Sequence, residues 1–202
     1  MNNGRLWLVL LAVFAGAPSG ALALSAKDVV AGQTEEVRGA AVARRAAAQR
    51  ELAPPSEVFV GETLQTAEKS RAQFKLGRDT TLRMGAETRV RLDRMLVDKG
   101  GTIVVDSGPI LIDKTPGTGD RPLELKGGFG LIVVRGTRLF AGPSNGTLGV
   151  FVEHGEIEVT SGGRSVVLRD GQGVDIPRKG APPTNVKSWG AKRIEAALNS
   201  VE

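Results

Sequence analysis

Apolar and polar residues alternate through the middle of the chain with the period of a β-strand. The apolar members of one such run are Phe74, Leu76, Leu82, Met84, Val90 and Leu92. Arg83, Arg89 and Arg91 stand between them. Successive side chains of a strand point to opposite faces, so one face should be buried and the other solvated. The pattern therefore predicts that these three arginines share one solvent face of a strand.

The stretch from Leu131 to Ile176 carries the densest set of turn signals. Its apolar runs are cut by Asn145-Gly146, His154-Gly155, Gly162-Gly163 and Asp170-Gly171. Such dipeptides accept the positive φ angles of tight hairpin turns. The pattern predicts four hairpin-linked strands here and an all-β fold for the chain.

The two ends of this region give mixed signals. Val37 to Leu52 is rich in Ala and Arg, which favours a helix, yet its alternation fits a strand. Beyond the basic, Pro-rich stretch from Pro177 to Thr184, residues Ser188 to Val201 predict a short amphipathic helix capped by Ser188. Trp189 would either pack on the domain or serve as a docking anchor, and packing is favoured.

The N-terminus has the pattern of a secretory signal peptide. Arg5 precedes the apolar run Leu6 to Ala15, and Ala21-Leu22-Ala23 fits a cleavage site. The run is too short for a membrane span, so we expect cleavage after Ala23, with an uncleaved anchor as the alternative. The predicted organisation is a signal peptide at 1–23, a linker at 24–34, a β domain at 35–177, and a connector with a helix at 178–202.

Composition argues against most catalytic chemistry. The 202 residues include one His and no Cys, which excludes disulfides and thiolate chemistry and argues against zinc. The G-x-S-x-G pattern at 142–146 lies between strand-like runs, where a turn explains it better than a nucleophile. The net charge of +5 is spread among acidic neighbours, which argues against nucleic acid as a partner. We expect no cofactor, no metal and no enzymatic activity.

The order of several short motifs resembles the FecR domain family. The segments are Val60-Gly61-Glu62-Thr63-Leu64-Gln65-Thr66, Ser70 to Gly85, Val134-Arg135-Gly136-Thr137-Arg138-Leu139-Phe140, Val150 to Val159 and Val167 to Gly173. The resemblance covers about residues 35 to 177 and implies an antiparallel, short-stranded sandwich or solenoid-like fold. It also implies that Val37 to Arg44 is strand.

The resemblance further assigns a structural role to a set of motif positions. They are Val134, Arg135, Gly136, Thr137, Phe140, Gly155, Gly171 and Gln172. Members of the family are envelope proteins that relay signals, many of them with a cytoplasmic anti-sigma segment that is not expected here.

The leading functional hypothesis is a periplasmic protein-interaction or sensory-accessory module whose partner is a protein of the cell envelope. The alternative is a module that binds an envelope polymer or glycan. In either case Arg83, Arg89 and Arg91 form the candidate docking face, against the simpler interpretation of a solubilising surface.

Overall fold

A computed structural model of the chain describes residues 29–96, 100–116 and 122–202. These residues form eighteen β-strands and one α-helix, which confirms the predicted all-β class. In chain order the elements are β1 (Val30–Arg38), β2 (Ala41–Arg45), β3 (Ala48–Glu51), β4 (Glu57–Phe59), β5 (Thr63–Thr66), β6 (Arg71–Leu76), β7 (Thr80–Met84), β8 (Arg89–Leu96), β9 (Gly100–Ser107), β10 (Ile110–Lys114), β11 (Leu123–Gly127), β12 (Gly130–Val134), β13 (Arg138–Ser144), β14 (Thr147–His154), β15 (Glu156–Ser161), β16 (Arg164–Arg169), β17 (Gln172–Ile176), β18 (Lys187–Ser188) and α1 (Ala191–Asn199). The predicted signal peptide at 1–23 lies outside the described residues.

The strands build two nine-stranded sheets. Sheet 1 has the order β18-β17-β14-β13-β10-β7-β6-β1-β4, and sheet 2 has the order β16-β15-β12-β11-β9-β8-β5-β2-β3. Neighbouring strands of the described residues run antiparallel except for β9 and β11, which pair in parallel. The predicted antiparallel, short-stranded architecture is confirmed, with this one parallel pairing added.

The main core lies between the two sheets and is built mostly from Val, Leu and Ile. Strand β7 shows how the sequence pattern produces it: Leu82 and Met84 are fully buried in this core, whereas Arg83 points to the opposite face. Two apolar faces that meet in this way remove apolar area from water, which is the main stabilising contribution to such a sandwich.

The chain passes repeatedly from one sheet to the other, and the corners stack in two rows. In one row, the backbone N–H of Ala67 donates to the carbonyl of Ala40 (3.0 Å), and that of Glu87 donates to the carbonyl of Ala67 (3.1 Å). In the other row, the N–H of Gly155 donates to the Asp170 carboxylate (2.6 Å). Each corner therefore supports the next one along the sandwich.

The hairpin prediction for 131–176 needs correction. Asn145-Gly146 and Gly162-Gly163 are hairpin turns, between β13 and β14 and between β15 and β16. His154-Gly155 and Asp170-Gly171 instead lie at corners where the chain changes sheets, and the stretch holds six strands rather than four. Both kinds of connection use glycine at positive φ, as Gly155 (100°) and Gly171 (74°) show, so the sequence signal is the same.

The prediction that three arginines share one strand face is wrong. Arg83 lies on β7 in sheet 1, whereas Arg89 and Arg91 lie on β8 in sheet 2. The corner between Gly85 and Thr88 separates them, with Glu87 at a φ of 52°. The alternation of apolar and polar residues continues through this corner because both strands bury one face in the same core.

The predicted element boundaries also shift. Strand β1 begins at Val30, inside the predicted linker. The expectation that Val37 to Arg44 is strand is confirmed, because this stretch holds the end of β1 and most of β2. At the other end Ser188 does not cap the helix: it belongs to β18, which pairs with β17, and Gly190 is the N-cap residue of α1. The segment at 178–202 is thus part of the sandwich. No helix of the described residues is long and apolar enough to cross a membrane.

Candidate functional site

The outer face of sheet 1 carries a second, smaller apolar cluster. Leu111, Phe140 and Phe151 project from β10, β13 and β14, and Trp189 and helix α1 cover them. The Trp189 ring stacks on Phe151 with 5.1 Å between ring centroids and meets Phe140 edge-on at 6.4 Å. Trp189 is 6% exposed, so the predicted packing of this residue is observed.

Trp189 can lie this close to the sheet because the strand residues beneath its indole ring are glycines, which have no side chain. A Cβ atom on Gly173 would lie 2.3 Å from the indole Nε1, and one on Gly149 would lie 2.7 Å from the ring. Arg193 covers the other side of the indole, with its guanidinium carbon 3.5 Å from the ring centroid, and pairs with Asp175 at 2.5 Å. Burial acts to raise the pKa of Asp175, but hydrogen bonds from Arg193, Lys187 and Thr147 outweigh it and hold this pKa below its ordinary value.

Beside this cluster the same sheet face holds a cavity of about 330 Å³, which we call the arginine cavity. It is lined by Glu36, Arg38, Arg71, Ala72, Gln73, Arg83, Val201 and Glu202. Strand pairing explains the clustering, because Arg38 lies opposite Arg71 across β1 and β6, and Gln73 lies opposite Arg83 across β6 and β7. Residues distant in sequence thereby place three guanidinium groups on one concave surface.

The arginine cavity carries more donors than its own side chains satisfy. Arg83 donates to the Gln73 amide oxygen (2.7 Å) and to the Glu202 carboxylate (3.0 Å). The Nε of Arg71 is buried and has no hydrogen-bond partner among the described residues. Three arginines and two glutamates, Glu36 and Glu202, line the cavity. Guanidinium groups in this arrangement are suited to binding carboxylates.

Arg138 lies next to the arginine cavity and connects it to acidic side chains along the sheet. It pairs with Glu153 (2.5 Å), Asp113 (3.2 Å) and Glu202 (2.8 Å). Burial acts to lower the pKa of Arg138, but Glu153 and Asp113 outweigh it and hold the pKa above its ordinary value. Arg138 is therefore a permanent cation that links the cavity to the rest of the face.

Of the predicted docking residues, only Arg83 lies at this site. Arg89 and Arg91 are exposed on the outer face of sheet 2, with the Arg91 guanidinium 3.8 Å from Asp93. Sequence reasoning missed Arg38 and Arg71, although pairing the alternating run at 30–38 with that at 71–76 would have placed them side by side.

The residues that resemble the family signature form a corner. Val134 ends β12 and is buried, Arg135 is exposed, and Gly136 has a φ of 140° at the crossing to β13. The Thr137 hydroxyl donates to the carbonyl of Glu156 (3.0 Å), and Phe140 belongs to the outer apolar cluster. These contacts join sheet 2 to sheet 1.

The other signature positions lie in the same row of corners. A Cβ atom on Gly155 would lie 2.7 Å from the carbonyl oxygen of Gly136, so the two corners are in close contact. The N–H of Gly171 donates to the carbonyl of Val152 (2.9 Å), and the Gln172 side chain accepts from the N–H of Arg169 (2.9 Å). All these contacts are with backbone groups of neighbouring elements.

The described part of the chain shows little that resembles a catalytic centre. It holds no group of three or more His, Asp or Glu residues that could bind a metal ion. His154 is exposed and lies 3.3 Å from Asp170 at a corner. The G-x-S-x-G pattern spans the hairpin between β13 and β14, with Asn145 at a φ of 52°.

The fold and this surface define a class: a two-sheet β-sandwich with a basic recess on one face. Residues 62–158, from the start of β5 into β15, match the model of the family described as FecR protein. The match confirms the resemblance to this family that the motif order predicted.

Two solved structures share the fold. They are crystal structures, at 1.65 Å and 2.50 Å resolution, of a candidate anti-sigma factor from Parabacteroides distasonis ATCC 8503. Each has a TM-score of 0.55 and 15% sequence identity over 67% of this chain. The match spans 64% of the first of those chains and 63% of the second. A search of the curated proteins found no match.

Proposed function

We propose that the protein is an exported, periplasmic FecR-domain module that binds an envelope protein through the arginine cavity and takes part in signal transduction. The observation that carries this proposal is the clustering of Arg38, Arg71 and Arg83 on one concave face. The FecR-family match and the shared fold with a candidate anti-sigma factor support a regulatory role rather than an enzymatic one.

The chemistry of the arginine cavity favours an acidic segment as the bound element. Guanidinium groups form paired, charge-assisted hydrogen bonds with carboxylates, and a recess excludes part of the water that would weaken them. Such a contact also depends on salt, because exposed charges are screened over about 10 Å at 0.1 M ionic strength.

The alternative of a glycan-binding module has less support. Sugar-binding faces generally present exposed aromatic rings, whereas no aromatic residue among the described ones is exposed. Phe59 is the least buried of them, and Arg50 covers its ring at 5.5 Å.

Site-specific crosslinking in the native host tests the docking face. A photoreactive residue at position 73, in the arginine cavity, should form an adduct with a defined envelope protein. The same residue at position 65, half-buried on the outer face of sheet 2, is the positional control. Equal adducts from both positions would show that the cavity has no special role.

Charge-reversal variants provide a second test of the docking face. The double variant Arg71→Glu/Arg83→Glu should lose the adduct at position 73, and raising the salt should weaken it in the unmodified protein. The control Arg89→Glu/Arg91→Glu makes the same charge change on sheet 2 and should retain it. Loss in both variants would indicate a response to net charge alone.

Export is tested separately by the intact mass of the protein in the periplasmic fraction. Cleavage after Ala23 gives a chain that begins at Leu24. A full-length chain in the membrane fraction would support the anchored alternative, and a full-length chain in the cytoplasm would contradict export.

A further inference from the structure

The segment Asn199–Glu202 forms one wall of the arginine cavity and accepts hydrogen bonds from its arginines. Arg71 donates to the carbonyl of Asn199 (2.7 Å), and Arg38 donates to the main-chain oxygen of Glu202 (3.4 Å). Arg83 and Arg138 both donate to Oε1 of Glu202, at 3.0 Å and 2.8 Å. Four arginines thus bind three acceptors of one short segment.

An aliphatic contact accompanies these polar ones. Val201 is 3% exposed and packs into the outer apolar cluster beside the arginine cavity. The backbone also fits closely here, since a Cβ atom on Gly85 would lie 2.1 Å from the carbonyl oxygen of Ser200. The surface therefore contacts an aliphatic side chain and the carboxylate of the residue that follows it.

The contacts that bind Asn199–Glu202 to the arginines are weak enough for the segment to dissociate. The Glu202 side chain is 43% exposed, and ion pairs open to solvent to this degree contribute little to stability. Helix α1, which carries the segment, has nine residues, no side-chain cap at Gly190 and no acidic residue in its first turn. A helix of this length is marginal unless packing holds it in place.

We propose that Asn199–Glu202 is a built-in competitor for the arginine cavity, and that the partner segment which displaces it carries an aliphatic residue followed by an acidic one. This rests on the proposed docking function and adds the regulation of that site. The partner gains access only when its segment outcompetes the one already present, so the affinity of the cavity for partners is set partly by Glu202.

A synthetic peptide tests the competition without any natural partner. The probe is a fluorescein-labelled peptide with the sequence of residues 191–202, and its binding to the full chain is measured by fluorescence anisotropy. In Glu202→Lys the segment loses both ion pairs and is repelled by Arg83 and Arg138. This variant should bind the probe about fivefold or more tightly than the unmodified protein, because the site is less often occupied.

Two controls make the result specific. Glu195→Lys introduces the same charge change on an exposed helix position that has no contact with the arginines, and it should bind the probe like the unmodified protein. A second probe with glutamine in place of its final glutamate should bind Glu202→Lys several-fold more weakly than the first. Circular dichroism melting curves establish that both variants are folded.

The outcomes separate this inference from the proposed function. Equal probe affinity in Glu202→Lys and Glu195→Lys, or equal affinity of the two probes, overturns the competition. The partner adduct at position 73 is read independently: it should increase in Glu202→Lys. An adduct that forms equally in the unmodified protein and in Glu202→Lys overturns the competition but leaves the docking function intact. Tight probe binding by Glu202→Lys without any adduct supports binding of the cavity by its own segment and refutes docking of an envelope protein.

Discussion

Replacing Gly136 with alanine should destabilise the protein through two effects that the structure separates. The residue has a φ of 140°, a conformation that residues with a Cβ atom rarely adopt. An added Cβ would also lie 2.9 Å from Cα and 3.0 Å from Cβ of Pro116. Both neighbouring atoms belong to a proline, so they cannot move away by a side-chain rotation.

The expected loss follows from these two terms. Backbone strain of this kind costs about 1–3 kcal/mol, and overpacking a tight contact costs about 1–3 kcal/mol more. We therefore expect a loss of about 2–6 kcal/mol in the free energy of unfolding. For a protein of this size, about 2 kcal/mol already lowers the melting temperature by about 4–8 °C.

Gly146→Ala is the matched control. Gly146 also has a positive φ, 76°, in the hairpin between β13 and β14, but a Cβ there would have no neighbour within 4 Å. Only strain remains, so we expect about 1–2 kcal/mol. Thermal unfolding followed by circular dichroism measures both variants. If Gly136→Ala has the same melting temperature as Gly146→Ala, the close contact between Gly136 and Pro116 does not affect stability. That result would refute the structural role assigned to Gly136.

Three further outcomes are expected. Gly173→Ala should push Trp189 off the sheet, because the new Cβ would lie 2.3 Å from Nε1. In the chain that begins at Leu24, which lacks Trp7, we expect a loss of about 1–3 kcal/mol and a red-shifted Trp189 emission, and an unchanged emission would contradict this. Asp175→Asn should be less stable than the unmodified protein at pH 7. Because the pKa of Asp175 is lowered in the folded state, the stability that its carboxylate contributes is complete above its unfolded pKa of about 3.9 and is lost as the pH falls through the folded pKa. Urea unfolding should therefore show a smaller stability difference between Asp175→Asn and the unmodified protein at pH 3 than at pH 7. Glu62→Ala removes the acceptor of Arg50 (2.9 Å) and of the Phe59 N–H (2.9 Å), and should cost about 1–3 kcal/mol in chemical denaturation; a loss under about 0.5 kcal/mol would mean that water replaces both contacts.

The sequence supported the fold class because the alternation of apolar and polar residues records burial directly. It could not show which sheet a strand joins. Met84 and Val90 are buried in the same core from opposite sheets, so the pattern continues unchanged through the corner that separates Arg83 from Arg89. Glycine at positive φ likewise serves both hairpins and corners, so the glycine signal alone does not distinguish the two kinds of connection.

The arginine cavity was harder to predict than the fold. Its guanidinium groups come from β1, β6 and β7, and their proximity depends on strand register, which a single sequence does not reveal. Val37 to Arg44 illustrates the reverse case: its composition favours a helix, but pairing with neighbouring strands overrides that propensity.

The nearly sequential order of strands in both sheets has a consequence for how the chain folds. From β6 onward in sheet 1, and from β5 onward in sheet 2, every later strand joins the edge formed by earlier ones. Each addition needs only residues already synthesised, so the sandwich can grow from its N-terminal end as the chain emerges, in the manner of a solenoid. Trp189 is then among the last residues to be buried. In a chain that begins at Leu24 and so lacks Trp7, its emission during refolding should report completion of the fold rather than its nucleation.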